Sequence, residues 1–238
     1  MQTDFHALVE KYEHNGWPSL ARPDAAPPAG WSLPLIVGVR RVHHHSLSPD
    51  SEHMAFVWET GDGLSDMFTL PIAGGWPQRL SFERRSIPYW WDTAPRFSPD
   101  GRWLAYNANG HVEVVALEGG LPRVVSDFAV GASSPVWMPD SCGLIVSVER
   151  GGLTRLMLTN RDAIWPRPIG AGIGDEGDAA PAPDGTRIAY TRSPHDDLNR
   201  IDLLLADLGS GAQYTLAALA GENTTARAGH PMAARSHC

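Results

Sequence analysis

Polar turns alternate with short apolar runs along most of the chain, and the runs recur at a fixed place. Met54-Ala55-Phe56, Leu104-Ala105-Tyr106, Leu144-Ile145-Val146 and Ile188-Ala189-Tyr190 each begin four residues after the Asp of a Pro-Asp pair. The pairs are Pro49-Asp50, Pro99-Asp100, Pro139-Asp140 and Pro183-Asp184, at spacings of 50, 40 and 44 residues. The text before them repeats too: Leu-Ser-Pro-Asp at 47–50, Phe-Ser-Pro-Asp-Gly at 97–101, Trp-Met-Pro-Asp at 137–140 and Ala-Pro-Asp-Gly at 182–185. Pro presets its own φ, Asp bonds nearby amides and Gly tolerates positive φ, so each segment predicts a hairpin between two β-forming runs.

Each unit continues in the same order. A second β-rich run follows at Asp66 to Ile72, His111 to Leu117, Leu153 to Thr159 and Ile201 to Leu208. A Gly- or Pro-bearing turn and a short last run come next, clearest in Gly74-Gly75-Trp76-Pro77-Gln78-Arg79-Leu80-Ser81 against Gly119-Gly120-Leu121-Pro122-Arg123-Val124-Val125-Ser126. The third copy degrades to Trp165-Pro166-Arg167-Pro168-Ile169 and the fourth to Gly211-Ala212-Gln213-Tyr214-Thr215-Leu216. Four short strands in each unit of this length predict one blade of a β-propeller. A β-sandwich gives no reason for four-strand units to repeat their turn chemistry. The expected fold class is all-β, a partial β-propeller of about four four-stranded blades with a short N-terminal helical leader. The blades fall at about 31–82, 83–127, 128–170 and 171–220, after a leader at 1–30 and before an irregular tail at 221–238. In the leader, Asp4 to Tyr12 predicts a short helix with Phe5, Leu8, Val9 and Tyr12 on one face. Trp31 to Val39 reads as a strand.

The Ser-Pro-Asp-Gly hairpin, the Leu-Ala-Tyr or Ile-Ala-Tyr strand after it and the Gly-Gly-x-Pro-Arg turn resemble the Pro-Asp propeller repeats of TolB-like proteins. They resemble still more the amino-terminal propeller of prolyl oligopeptidase (acylaminoacyl-peptidase-like) serine peptidases. Gly16-Trp17-Pro18-Ser19-Leu20 and Asp196-Asp197-Leu198-Asn199-Arg200 look like segments of bacterial peptidases of that family. The resemblance implies a propeller that covers an α/β-hydrolase domain and admits short peptides. It implies peptide hydrolysis as the parent activity, with the hydrolase domain and short peptides as partners. A free-standing TolB-like scaffold, whose blade faces hold a protein partner, is the rival reading.

In such peptidases the nucleophile occupies a Gly-x-Ser-x-Gly elbow. No such motif occurs here, and the nearest approach, Gly131-Ala132-Ser133-Ser134-Pro135, lacks the final Gly. No catalytic residue is assigned, and the chain is expected to be inactive by itself. Ala228-Gly229-His230-Pro231 resembles the start of a fifth innermost strand. The expectation is a truncation or frameshift near residue 231 of a longer peptidase gene.

Other clusters are weighed by their chemistry. His43 and His45 would share one strand face, but no carboxylate or Cys stands at ligand spacing in the sequence, so no metal site is assigned. Asp175-Glu176-Gly177-Asp178 lacks the Ca²⁺-loop pattern and reads as a solvated loop. Trp76, Trp103, Trp137 and Trp165 are expected to pack between sheets. Tyr89-Trp90-Trp91-Asp92, with Arg84 and Arg85 nearby, is the candidate binding cluster, facing a peptide or another domain.

Composition sets the remaining limits. A formal net charge of −8 argues against a nucleic-acid-binding surface. The apolar run Leu33 to Val39 contains Pro34 and is too short to span a bilayer, so no membrane role is expected. The first residues carry no secretory pattern, and two cysteines, Cys142 and Cys238, suit a reducing, cytoplasmic setting. No cofactor is implied. If Trp90 and Trp91 serve binding, a Trp90→Ala, Trp91→Ala chain keeps the thermal melt of the parent; a lost melting transition would place both in the core.

Overall fold

The computed structural model describes residues 41–59, 65–82, 94–126, 132–162, 165–194 and 199–220. They lie within the compact unit Arg40–Cys238, distinct from Met1–Val39. The expected leader helix, the strand at 31–39 and the tail at 221–238 fall outside the described residues.

Every described element is a strand. In chain order they are β1 (Arg41–Leu47), β2 (His53–Glu59), β3 (Ser65–Pro71), β4 (Gln78–Arg79), β5 (Arg96–Phe97), β6 (Trp103–Ala108), β7 (His111–Ala116) and β8 (Arg123–Val124). There follow β9 (Ala132–Trp137), β10 (Gly143–Arg150), β11 (Leu153–Asn160), β12 (Arg167–Pro168), β13 (Gly174–Pro181), β14 (Arg187–Pro194), β15 (Arg200–Asp207) and β16 (Gln213–Ala220). They form four sheets of four strands, each an antiparallel meander in chain order. This is an all-β partial propeller, one blade per repeat.

The Pro-Asp turn joins the first and second strand of every blade, and its bonds repeat. The Asp carboxylate accepts the amide two residues on: Glu52 at 2.9 Å, Arg102 at 3.1 Å, Cys142 at 2.8 Å and Thr186 at 3.0 Å. The residue after Asp donates its amide back across the turn, from Ser51, Gly101, Ser141 and Gly185, and all four take positive φ. Gly fits that conformation freely, and Ser replaces it in the first and third blades at a modest steric cost. Ser48 and Ser98 tighten two turns, each donating to its Asp at 2.5 Å and accepting the amide of His53 or Trp103.

Blades stack through three apolar cores. The second strand alternates sides, so its even and odd positions face different neighbours. Ala55, Val57, Met67 and Leu80 of the first blade meet Leu104, Tyr106 and Val115 of the second. Ala105, Val112 and Val125 meet Trp137, Leu144 and Val146 of the third. Ile145, Leu156 and Ile169 meet Ile188, Tyr190 and Leu204 of the fourth. Polar ties reinforce this stacking: the Trp137 indole donates to the Arg96 carbonyl at 2.8 Å, and the Arg161 guanidinium lies over the Trp103 ring at 4.8 Å. Among the described residues no fourth core joins the first blade to the last.

A buried hydroxyl completes the inner end of the third strand. Met67 and Val112 donate their amides to Ser81 and Ser126, at 3.0 and 2.6 Å. In the third blade that Ser becomes Gly170, and Glu176 reaches in to accept the Leu156 amide at 3.1 Å. A Cβ on Gly170 would stand 1.7 Å from the Glu176 carboxylate, so Gly makes room for the substitute acceptor. Residues 175–178, expected as a solvated loop, therefore belong to β13, with Glu176 buried. Trp137 packs as expected and Trp103 is half-buried against the second core. Trp76 and Trp165 do not, being 61% and 92% exposed, because each precedes the Pro of an outer turn beyond the sheet face.

Ser126→Ala leaves a buried amide without its acceptor and should cost about 1–3 kcal/mol, read from urea unfolding. A second expectation concerns acid. The Ser48 hydroxyl and the Thr186 amide hold the Asp50 and Asp184 carboxyls below the ordinary 3.8. At Asp100 burial acts upward, but the Ser98 hydroxyl and Arg102 amide outweigh it and the carboxyl is lowered as well. Groups lowered in the folded state stabilise it fully above 3.8 and lose that contribution as pH falls through the lower folded values. The urea midpoint should be level above that pH and drop below it, and a chain carrying Asn at all three positions should drop less.

Candidate functional site

The first strands of neighbouring blades, β1, β5, β9 and β13, lie side by side and form the inner edge of the arc. Three of them carry the same irregularity. His44, Ser134 and Asp178 have φ of 48, 52 and 48°, each five residues before the Pro of its Pro-Asp pair. The pairing register slips there, between His43 and Ser46, between Ser133 and Val136, and between Gly177 and Ala180. Each is a β-bulge that inserts one residue and bends the strand. Blade two's β5 is two residues long and shows no bulge among the described residues.

The bulges set the polar chemistry of this edge. Alternation breaks at His44, so His43 and His45 do not converge as the sequence suggested. The neighbouring strand supplies the carboxylate missing from the local sequence. His43 Nε2 lies 2.6 Å from Glu59 Oε2, half-buried, while His45 is exposed. In the fourth blade Asp178 accepts the Thr191 hydroxyl at 3.0 Å.

The buried acids serve the framework. Asp66 accepts the Ser81 hydroxyl at 2.8 Å and pairs with Arg79. Glu113 accepts the Tyr106 hydroxyl at 2.9 Å. Asp202 pairs with Arg200 at 2.7 Å and Arg192 at 3.2 Å. Burial alone would raise its carboxyl, but those two guanidinium partners hold it below the ordinary value. Burial raises the Tyr190 hydroxyl, with the Glu176 carboxylate adding to it, so it remains a neutral partner for Gln213.

Among the described residues no group of three or more His, Cys, Asp or Glu side chains is gathered as a metal ion requires. Trp90, Trp91, Arg84 and Arg85, the candidate binding cluster, lie outside the described residues. What sequence reasoning missed is the bulge series and the inward Glu176. The usable signal was the fixed offset from Pro, which places His, Ser and Asp, all tolerant of left-handed backbone, at one position.

Against this geometry the known proteins can be compared. No family model matches the chain. The uncharacterized peptidase YuxL of Bacillus subtilis (strain 168) is 30% identical over 127 residues, covering 49% of this chain and 18% of its own length. Among solved structures, a TolB from Agrobacterium tumefaciens superposes with a TM-score of 0.57 at 19% identity, over 75% of this chain and 65% of that one. A prolyl endopeptidase superposes with a TM-score of 0.59 at 15% identity, over 78% of this chain and 31% of that one. The fold is thus that of a TolB-type propeller, shared with the propeller domains of peptidases. The chain spans less than a third of the peptidases it matches.

The bulge makes a steric prediction. Ser134→Val places a β-branched residue at positive φ and should cost about 1–2 kcal/mol in urea unfolding, whereas Ser134→Gly should be neutral or slightly stabilising.

Proposed function

We propose that this chain is the non-catalytic propeller portion of a serine peptidase of the prolyl oligopeptidase family. It covers a separate α/β-hydrolase domain in the cytoplasm and admits only short peptides to it. The observation that carries this reading is the 30% identity to a peptidase over 127 residues, about half of this chain. The superposition on a prolyl endopeptidase supports the same architecture. On this reading the chemistry belongs to the hydrolase domain, whose nucleophile elbow aims a Ser at the substrate carbonyl and whose amides hold the oxyanion. The propeller contributes exclusion: a rigid stack of sheets that large substrates cannot pass.

A second reading, a free-standing TolB-like scaffold that binds a protein, is favoured by the larger share of the TolB chain that is covered, 65% against 31% for the prolyl endopeptidase. Reading the coding DNA past the Cys238 codon in three frames separates them. A fifth Pro-Asp blade followed by a Gly-x-Ser-x-Gly elbow is the expected result. Unrelated sequence in every frame would overturn the peptidase reading and leave the scaffold.

A further inference from the structure

The four blades differ at their outer edges. The first strands lie together at the inner edge of the arc, so the fourth strand of each sheet, β4, β8, β12 or β16, is the outer one. An outer strand presents backbone amides and carbonyls that pair with other chains unless something blunts the edge. Three of the four are blunted by the same means. β4, β8 and β12 are two residues long. Each holds an Arg, at 79, 123 and 167, and each directly follows a Pro, at 77, 122 and 166. Short length, a cation and a neighbouring Pro are the devices that keep an edge from recruiting a strand.

β16 has none of them. It runs for eight residues, Gln213–Ala220, with no charged residue and no Pro in it or in the four residues before it. Tyr214, Thr215, Leu216 and Ala218 are exposed. The charges of β15 beneath it are neutralised within the sheet, Asp202 by Arg192 and Arg200, and Asp207 by Arg187 at 3.7 Å. One bulge interrupts the strand: Leu203 pairs with Ala217 and Leu204 with Thr215, so Leu216 has no partner on β15. Straight segments remain on either side of it. The outer position belongs to the blade itself, and it holds whether or not further blades follow.

We propose that the outer edge of β16 pairs antiparallel with β16 of a second copy of this chain, joining two four-stranded sheets into one of eight strands. Charge selects the copy as occupant. A twofold axis sets a strand against itself, so an edge bearing Arg would oppose like charges, whereas β16 opposes only Tyr, Thr, Leu and Ala. With the axis at Leu216, the segment before the bulge in one copy lies against the segment after it in the other. The remaining outer strands are blunted, so pairing uses the one long outer edge among the described residues and stops at two chains. The inference holds for a peptidase propeller and for a scaffold alike.

The test is the solution mass of the full chain by light scattering after gel filtration, at tens of micromolar. The expected mass is twice the 25.8 kDa of one chain. The double variant Thr215→Arg, Ala218→Arg gives β16 the cations of the other outer strands, and its mass should fall to that of one chain. Both side chains are exposed, so the variant should keep the parent's far-UV circular dichroism and thermal melt. Trp165→Arg, on the outer turn of the third blade, is the control and should stay dimeric. A monomeric parent overturns the proposal and leaves the edge to a strand of another protein. A ladder of larger masses overturns the closed pair. Dimer surviving in the double variant, or lost in Trp165→Arg, overturns β16 as the junction.

Discussion

A blade is a sheet with two apolar faces, and neither can be left in water without cost. That constraint governs the rest of the structure. At about 25 cal/mol for each Å² of apolar surface removed from water, burying both faces is what repays the ordering of short, loop-rich strands. A single blade of four strands, one of which in the third copy is only Arg167–Pro168, has too little of its own core to do so. Stability therefore resides between blades. The cores formed by Met67 with Tyr106, Val112 with Val146 and Leu156 with Tyr190 are versions of one junction.

The polar chemistry of the repeat protects that junction. Each Pro-Asp turn satisfies its own amides through the Asp carboxylate, so the hairpin reverses direction without exposing unpaired donors to the neighbouring core. Where the third strand leaves an amide buried, Ser81, Ser126 or Glu176 accepts it. The third blade shows how tightly the two are linked: the loss of the Ser at Gly170 and the inward turn of Glu176 from the next blade are one event, and it ties two blades together. The Arg123–Asp162 pair at 2.9 Å adds an exposed tie of small weight between the second and third blades.

The fold was legible because its turn chemistry is local. Pro, Asp and Gly act within four residues, so the hairpins could be placed without knowing any distant contact, and the second and third strands followed from their apolar runs. What was not legible depends on long-range register. The bulges at His44, Ser134 and Asp178 share no single residue type, only an offset from Pro, and they undid the convergence of His43 with His45. Glu176 sits in an acidic run that reads as solvated, and only the neighbouring Leu156 amide explains its burial. Trp76 and Trp165 look like core by size alone; their place just outside the sheet, before an outer-turn Pro, is what exposes them. The candidate cluster at Trp90 and Trp91 was singled out by composition in a connecting segment, where periodicity offers no guide.

The central claim, a stack of sheets whose order comes from its inter-blade cores, is most directly tested by amide hydrogen exchange. Exchange should be slowest in β6, β7, β10 and β11, whose sheets are packed on both faces, and faster in β1 and β16. Equal protection across all four sheets would contradict the account, because protection would then not follow the inter-blade cores.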